Sequence, residues 1–468
     1  MIDHFDAIVI GAGQAGPSLA VRLAKAGRKT AIVERKDFGG TCVNNGCIPT
    51  KALIASARAA HVARRADGWG VVVPPGLRVD MPAVKARKDE IVRASREGVV
   101  KWLTGTPGVT VIEGHARFES AHTIRVGGVL LEAPQIFVNV GGRARVPDID
   151  GIQTVPHLDN VSMMDIDALP RHLVVVGGSY VGLEFAQMYR RFGAEVTVVE
   201  MGRRLVARED DEVSAAIKEI LEAEGIAIRL AATCVAVRGD GNDIVVGVDC
   251  EQEPKEVRGS HLLLATGRRP NTDDLGCEHA GIELDEHGYI KVDDALRTNV
   301  DGIWALGDVN GRGAFTHTSY NDYEIVAANL LDGGARRVSD RITTYALFTD
   351  PPLGRAGMTE REVRERGIDA LVATMPMSRV GRAKERGETA GFMKVLVDAD
   401  SKRLLGAALL GIEGDEVVHS LLDVMYAGAP YTVITHAMHI HPTVTELVPT
   451  LLGQLEPLRR AGAALGRV

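Results

Sequence analysis

Short apolar and β-branched runs that end on glycine alternate with helix-competent stretches along most of the chain. Residues 5–10 (FDAIVI) lead into Gly11-Ala12-Gly13-Gln14-Ala15-Gly16, residues 20–26 favour a helix, and residues 29–33 (KTAIV) end at Glu34. The pattern predicts strand, tight turn, helix and strand. It returns at residues 173–176 (LVVV), followed by Gly177-Gly178-Ser179-Tyr180-Val181-Gly182, a helix through Ala186 and Tyr189, and a strand over 195–199 ending at Glu200. Between the two units, residues 80–103 are polar and helix-competent, and glycine pairs and Pro147 break the short strands that follow. From Ile342 onward the pattern changes. Strands are expected at 395–397 and 404–408, and helices at 416–426 and 443–455, which is the pattern of a separate α+β domain.

Each glycine turn carries a specific physical implication. Gly11 allows the tight turn, Gly13 allows a pyrophosphate to approach the backbone, and Gly16 allows close packing of helix on strand. The helix N-terminus then offers free N–H groups to phosphate. Glu34 stands 23 positions after Gly11 and Glu200 stands 23 after Gly177, where each carboxylate can accept hydrogen bonds from a ribose diol. Ser179 replaces the middle glycine of the second turn. Glu200 favours NADH over NADPH by repelling a 2′-phosphate, against the opposite pull of Arg203 and Arg204. Two such units imply two nucleotides on one chain.

Composition narrows the class. The 468 residues carry 54 Lys plus Arg against 62 Asp plus Glu, a net charge of −8, with 45% hydrophobic and 4% aromatic residues. This describes about three globular domains without the basic, aromatic-rich groove of a nucleic-acid binder. No apolar run is long enough to cross a bilayer, and the N-terminus lacks the features of a secretion signal, so a cytoplasmic location is expected. Five cysteines are too few for a stapled framework. Cys42 and Cys47 are close in sequence, whereas Cys234, Cys250 and Cys277 are scattered. Four intervening residues can form a loop that joins two thiols, and in the cytosol such a pair reads as redox-active rather than structural.

The chain resembles the flavin-dependent pyridine nucleotide-disulfide oxidoreductases, the family of dihydrolipoamide dehydrogenase, glutathione reductase and mercuric reductase. The resemblance rests on the first glycine turn, GGTCVNNGCIPTK at 39–51, the second turn, LLLATGRRPN at 262–271, IWALGDV at 303–309, FTDPP at 348–352 and HPTVTE at 441–446. It implies an α/β fold of two Rossmann-like dinucleotide-binding domains plus a C-terminal α+β dimerisation domain. The expected segments are an FAD-binding part at 1–150, an NAD(P)-binding domain at 151–269, a second FAD-binding part at 270–341 and the dimerisation domain at 342–468. It further implies FAD contacts at Gly11, Gly13, Gly16, Glu34, Thr41 and Asp308, and nicotinamide-nucleotide contacts at Gly177, Gly182, Glu200 and Gly267. Hydride is expected to pass from NADH or NADPH to FAD, and two electrons onward to Cys47, on the flavin side, and Cys42, on the acceptor side. Lys51 and Glu184 match the pair beside the reactive flavin edge. His441 and Glu446 match the acid/base pair that a second subunit contributes, so a homodimer with a shared active site is expected. Metal coordination by His436, His439 and His441 is a weaker alternative.

Departures from the family pattern bear on the acceptor. The sequence shows neither an appended metal-binding domain nor a terminal cysteine pair, which argues against full mercury transfer. Asn45 and the turn at 137–142 (FVNVGG) also differ, the latter at the hinge between nucleotide domains. Glu200 and HPTVTE favour a dihydrolipoamide-dehydrogenase-like acceptor, a disulfide. A mercuric-reductase-like flavoprotein reducing a metal ion or quinone, and a catalytically silent nucleotide sensor, are the alternatives.

Overall fold

The computed structural model describes residues 2–249, 251 and 254–459. Cys250 and residues 460–468 lie outside these residues; of the last dozen residues, for which a frayed end is expected, Pro457 pairs with Leu371 and the Leu458 N–H donates to the Ala370 carbonyl at 2.8 Å. The first sheet is built on Ala7–Ile10, all four residues of which are buried. Its five parallel strands run in the order Ile303–Ala305, Ile136–Val138, Ala7–Ile10, Thr30–Glu34 and Val109–Glu113. The Ile303–Ala305 edge strand comes from a part of the chain that follows the second sheet in sequence. Burial on both faces explains why the inner strands Ala7–Ile10 and Ile136–Val138 read as unbroken apolar runs. The helix expected at 20–26 begins earlier, spanning Gly16–Lys25, because Pro17 near its start lacks only an N–H that would have no helical partner.

The second sheet is also parallel, in the order Ala227–Arg229, Glu195–Val199, His172–Val176 and His261–Leu264. On it lies the helix Tyr180–Phe192, which buries Leu183, Phe185, Met188, Tyr189 and Phe192. Burial of each such side chain contributes roughly 1.5–3 kcal/mol. Leu53 and Ala57, from the helix Cys47–Arg64 near the first sheet, join the same apolar cluster, as do Leu347, Leu353 and Leu410 from the third sheet. One shared core thereby fixes the three units relative to each other.

The third sheet has six antiparallel strands, in the order Thr344–Leu347, Leu353–Gly357, Leu404–Leu410, Phe392–Asp398, Ala370–Pro376 and Glu456–Pro457. The helix expected at 416–426 spans Gly414–Tyr426. That expected at 443–455 is replaced by a 3₁₀ turn at Thr445–Leu447 and a five-residue helix, Val448–Leu452. Pro449 explains the break, since it starts a helix readily but cannot continue one.

Candidate active site

The thiols sit on a short helix, Gly40–Asn44, and on the first residue of the 18-residue helix Cys47–Arg64. Gly46 joins them, and a side chain there would meet the Thr41 carbonyl at 2.8 Å. Cys42 is half-buried and Cys47 exposed, both as thiols. The neighbouring Cys47 sulfur, together with burial, holds Cys42 well above the usual thiol range. The adjacent Cys42 thiol in turn lowers Cys47 to about 6, against the opposing effect of burial and with help from Thr316 and Lys51. The Thr316 hydroxyl lies 3.1 Å from Cys47 Sγ, at the start of the helix Thr316–Leu331. A thiolate at a helix N-terminus is also favoured by the positive end of the helix dipole. Nothing in the expected motifs singled out Thr316, which follows the IWALGDV segment and meets Cys47 only through folding.

Lys51 lies one turn after Cys47, and its Nζ donates to Glu184 Oε2 at 2.7 Å. Glu184 is buried, and its other oxygen accepts the Phe348 backbone N–H at 3.0 Å. The ammonium stands 4.3 Å from the centre of the Phe348 ring, a cation–π contact. Three distant stretches of sequence therefore converge on one ion pair.

These groups line a cavity of about 650 Å³ together with Gly13, Thr41, Cys42, Cys47 and Asp308. A second lobe of about 200 Å³ is walled by Gly11, Gly13, Glu34 and Thr41, and shares Gly13, Thr41, Asn45, Asn139 and Gly141 with the first. Glu34 accepts the Ala12 N–H at 2.8 Å, and Glu200 accepts the Gly178 N–H at 2.6 Å, so the two turns are built alike. Gly11 has φ +99°, and a side chain there would strike the Asn139 carbonyl at 2.4 Å. Gly16, Gly177, Gly182, Glu200 and Gly267 line neither lobe.

The unusual FVNVGG turn keeps its strand-to-glycine form. Asn139 accepts the Gly16 N–H at 3.0 Å and donates to the Leu306 carbonyl at 2.8 Å, tying the first turn to the returning strand. Burial raises the Asp308 carboxyl, an effect that Arg268 partly offsets from 3.4 Å. Arg268 Nε has ion-pair proximity to Asp308 but no hydrogen bond, and Asn44 Oδ1 likewise has none, although both atoms are buried. One lies on each lobe of the cavity. A two-lobed cavity with an unsatisfied polar atom in each lobe, a carboxylate at one end and a thiol at the other suits a dinucleotide bearing a redox ring.

His441 and Glu446 form their expected pair, with Nδ1 2.9 Å from Oε2. The His441 side chain is 80% exposed and lines neither lobe. Within one chain it is therefore not brought to Cys42. Among the described residues no cluster of three or more His, Cys, Asp or Glu side chains is arranged to hold a metal ion. Among the same residues no helix is long and apolar enough to cross a membrane.

Residues 5–322 match the family described as pyridine nucleotide-disulphide oxidoreductase, and residues 343–452 match its dimerisation domain. The chain belongs to the pyridine nucleotide-disulphide oxidoreductase family. It is 37% identical to the probable pyridine nucleotide-disulfide oxidoreductase RclA of Escherichia coli K12, over 95% of this chain and 98% of that one. It is 34% identical to a mercuric reductase of Streptomyces lividans and 35% identical to a dihydrolipoyl dehydrogenase of Haloferax volcanii, each match covering 94% of both chains. The solved structure of the HOCl-induced flavoprotein disulfide reductase RclA from E. coli superimposes with a TM-score of 0.88, covering 96% of this chain and 99% of that chain. A Cu(II) complex of the same protein gives 0.87.

Members of this family carry two Rossmann-like domains and a dimerisation domain, a layout matched by the two parallel sheets and the six-stranded antiparallel sheet. The chain is an FAD-dependent NAD(P)H oxidoreductase with a redox-active cysteine pair, which decides against the silent sensor. The expected leaning towards dihydrolipoamide dehydrogenase is not singled out, since RclA at 37% identity and a dihydrolipoyl dehydrogenase at 35% are both among the relatives.

Proposed function

We propose that this enzyme carries two electrons from NADH through FAD to the Cys42–Cys47 disulfide, and from the resulting dithiol to a small disulfide or related oxidised acceptor. In this reading it works as a cytoplasmic homodimer whose segments divide at 150, 269 and 341. FAD occupies the two-lobed cavity, with Gly11, Gly13, Gly16, Glu34, Thr41 and Asp308 as its contacts. The nicotinamide nucleotide uses the second turn, with Gly177, Gly182, Glu200 and Gly267. Bound FAD supplies the two-electron relay between nicotinamide and sulfur.

The chain's own residues divide the remaining work. Lys51 holds positive charge at the cavity wall and Glu184 fixes its direction, an arrangement suited to stabilising added negative charge. Cys47 takes the thiolate form while Cys42 keeps its proton. A thiol held so far above its usual range needs a base before it can attack an acceptor. His441 of the partner subunit, oriented by Glu446, is that base. The exposed His441–Glu446 pair, away from its own Cys42 cavity, supports dimeric assembly of the site. Glu200 supports NADH, because its backbone hydrogen bonds fix a negative charge beside the turn. Arg204 is engaged with Asp211 and the Ala207 carbonyl instead of being free for a 2′-phosphate.

The observation carrying this reading is the convergence of Cys42, Cys47, Lys51 and Glu184 on one cavity wall. The Cu(II) complex of E. coli RclA supports a second reading, with a reducible metal ion such as Cu(II) as the substrate, whose reduced Cu(I) form is the one that soft thiolates favour. The test is anaerobic titration of the holoenzyme with NADH, followed by addition of a cyclic disulfide, a linear disulfide, a quinone and Cu(II) in turn. Disulfide-dependent reoxidation that is lost in Cys42→Ser is expected. Equal reoxidation by disulfides in that variant would refute the pathway, and turnover with Cu(II) alone would select the second reading.

A further inference from the structure

We propose that Asp350 is a positioning residue: by bridging Arg58 and Arg191 it sets the spacing of the helices that carry Lys51 and Glu184. The inference rests on the role given above to the Lys51–Glu184 pair. Arg58 lies seven residues after Lys51 on the helix Cys47–Arg64, and Arg191 seven after Glu184 on the helix Tyr180–Phe192. Seven residues are two turns, so each arginine shares a face with its charged partner near the cavity. The helices are thus clasped twice. At the near end Lys51 meets Glu184 directly at 2.7 Å. At the far end two like charges would repel, yet both guanidiniums bind one oxygen, Asp350 Oδ2, with Arg58 at 2.6 Å and Arg191 in close contact.

The clasps are joined through two residues of backbone. Phe348 donates its N–H to Glu184 and lies under the Lys51 ammonium. Gln187, between Glu184 and Arg191, accepts the Asp350 N–H at 2.7 Å and donates to the Asp350 carbonyl at 2.8 Å. Movement of Asp350 is therefore transmitted to Phe348 and to both members of the near pair. The far clasp lies beside a separate cavity of about 860 Å³, remote from the thiols. Burial pushes the Asp350 carboxyl up, but Arg191 and Arg58 outweigh it and leave the group ionised, below the usual carboxylate range.

Asp350→Asn removes the shared charge but leaves each arginine a carboxylate, Glu388 for Arg58 and Glu224 for Arg191. The fold should survive while the spacing relaxes. A small misplacement of reacting groups is enough to slow a reaction tenfold or more, roughly. The experiment measures anaerobic rapid reduction of the holoenzyme by NADH in wild type, Asp350→Asn, Lys51→Met and the double variant. Asp350→Asn should slow reduction about tenfold in protein that still folds and holds FAD, and should add nothing in the Lys51→Met background. Asp350→Glu should recover part of the rate. Slow Lys51→Met with wild-type rates in Asp350→Asn, or the same factor in both backgrounds, would overturn the positioning role alone. Wild-type reduction in Lys51→Met would instead overturn the role of the pair itself. Should Asp350→Asn not fold, Arg58→Lys serves in its place, because it keeps the charge while losing the two-pronged reach between Asp350 and Glu388.

Discussion

Replacing Thr316 with valine keeps the shape of the side chain and removes a single hydroxyl, 3.1 Å from Cys47 Sγ. A hydrogen bond to a charged acceptor contributes about 1.5–3 kcal/mol, and the exposure of Cys47 to the cavity argues for the lower end. About 1.4 kcal/mol corresponds to a tenfold change in acidity. Cys47, held at about 6 in the parent, should therefore titrate nearer to about 7 in Thr316→Val. The sign follows from which form the hydroxyl favours. It donates to the thiolate, so its loss disfavours the charged form and moves the midpoint upward. The assay is the pH dependence of the long-wavelength thiolate–flavin absorbance in anaerobically reduced holoenzyme. That band should rise with pH through about 6 in the parent and through about 7 in the variant, and Cys47→Ser should lack it. Unchanged midpoints would show that the hydroxyl does not donate to the sulfur, while a downward move would mean that it stabilises the neutral thiol.

Four further outcomes are expected. Cys42→Ser should still accept electrons from NADH and show no disulfide reductase turnover; normal turnover would remove Cys42 from the acceptor side. His441→Ala should lower disulfide turnover by roughly 10²–10⁴-fold, with the loss concentrated in acceptor reduction. Hybrid dimers of His441→Ala and Cys42→Ser subunits should regain activity through one complete site, and inactive hybrids would place the base within its own subunit. Glu200→Ala should raise the KM for NADH and narrow the preference over NADPH, measured from kcat/KM for the two donors; an unchanged ratio would show that Glu200 does not read the ribose.

Much of the fold was legible in short windows. The turns at Gly11 and Gly177 and the cysteine pair each depend on neighbours a few residues away, and the acids follow at a fixed 23 residues. Local conformational demands, such as the positive φ of Gly11, are written into residue type at the position concerned. Element ends were less legible. Pro17 allowed the first helix to begin earlier than apolar spacing implied, and Pro449 divided the last expected helix, each through the single N–H that proline lacks.

The sequence by itself determined the alternation of strands and helices, the two glycine turns and the closeness of Cys42 to Cys47, because these rest on local backbone geometry and periodic burial. Tertiary structure alone decided that Thr316 reaches Cys47, that Asn139 ties the first turn to the strand Ile303–Ala305, and that Arg58 and Arg191 share Asp350. It also separated His441 from the cavity of its own chain. Such contacts join residues more than a hundred positions apart, and their distances are set by how helices and sheets pack around the shared core, which no spacing along the chain encodes.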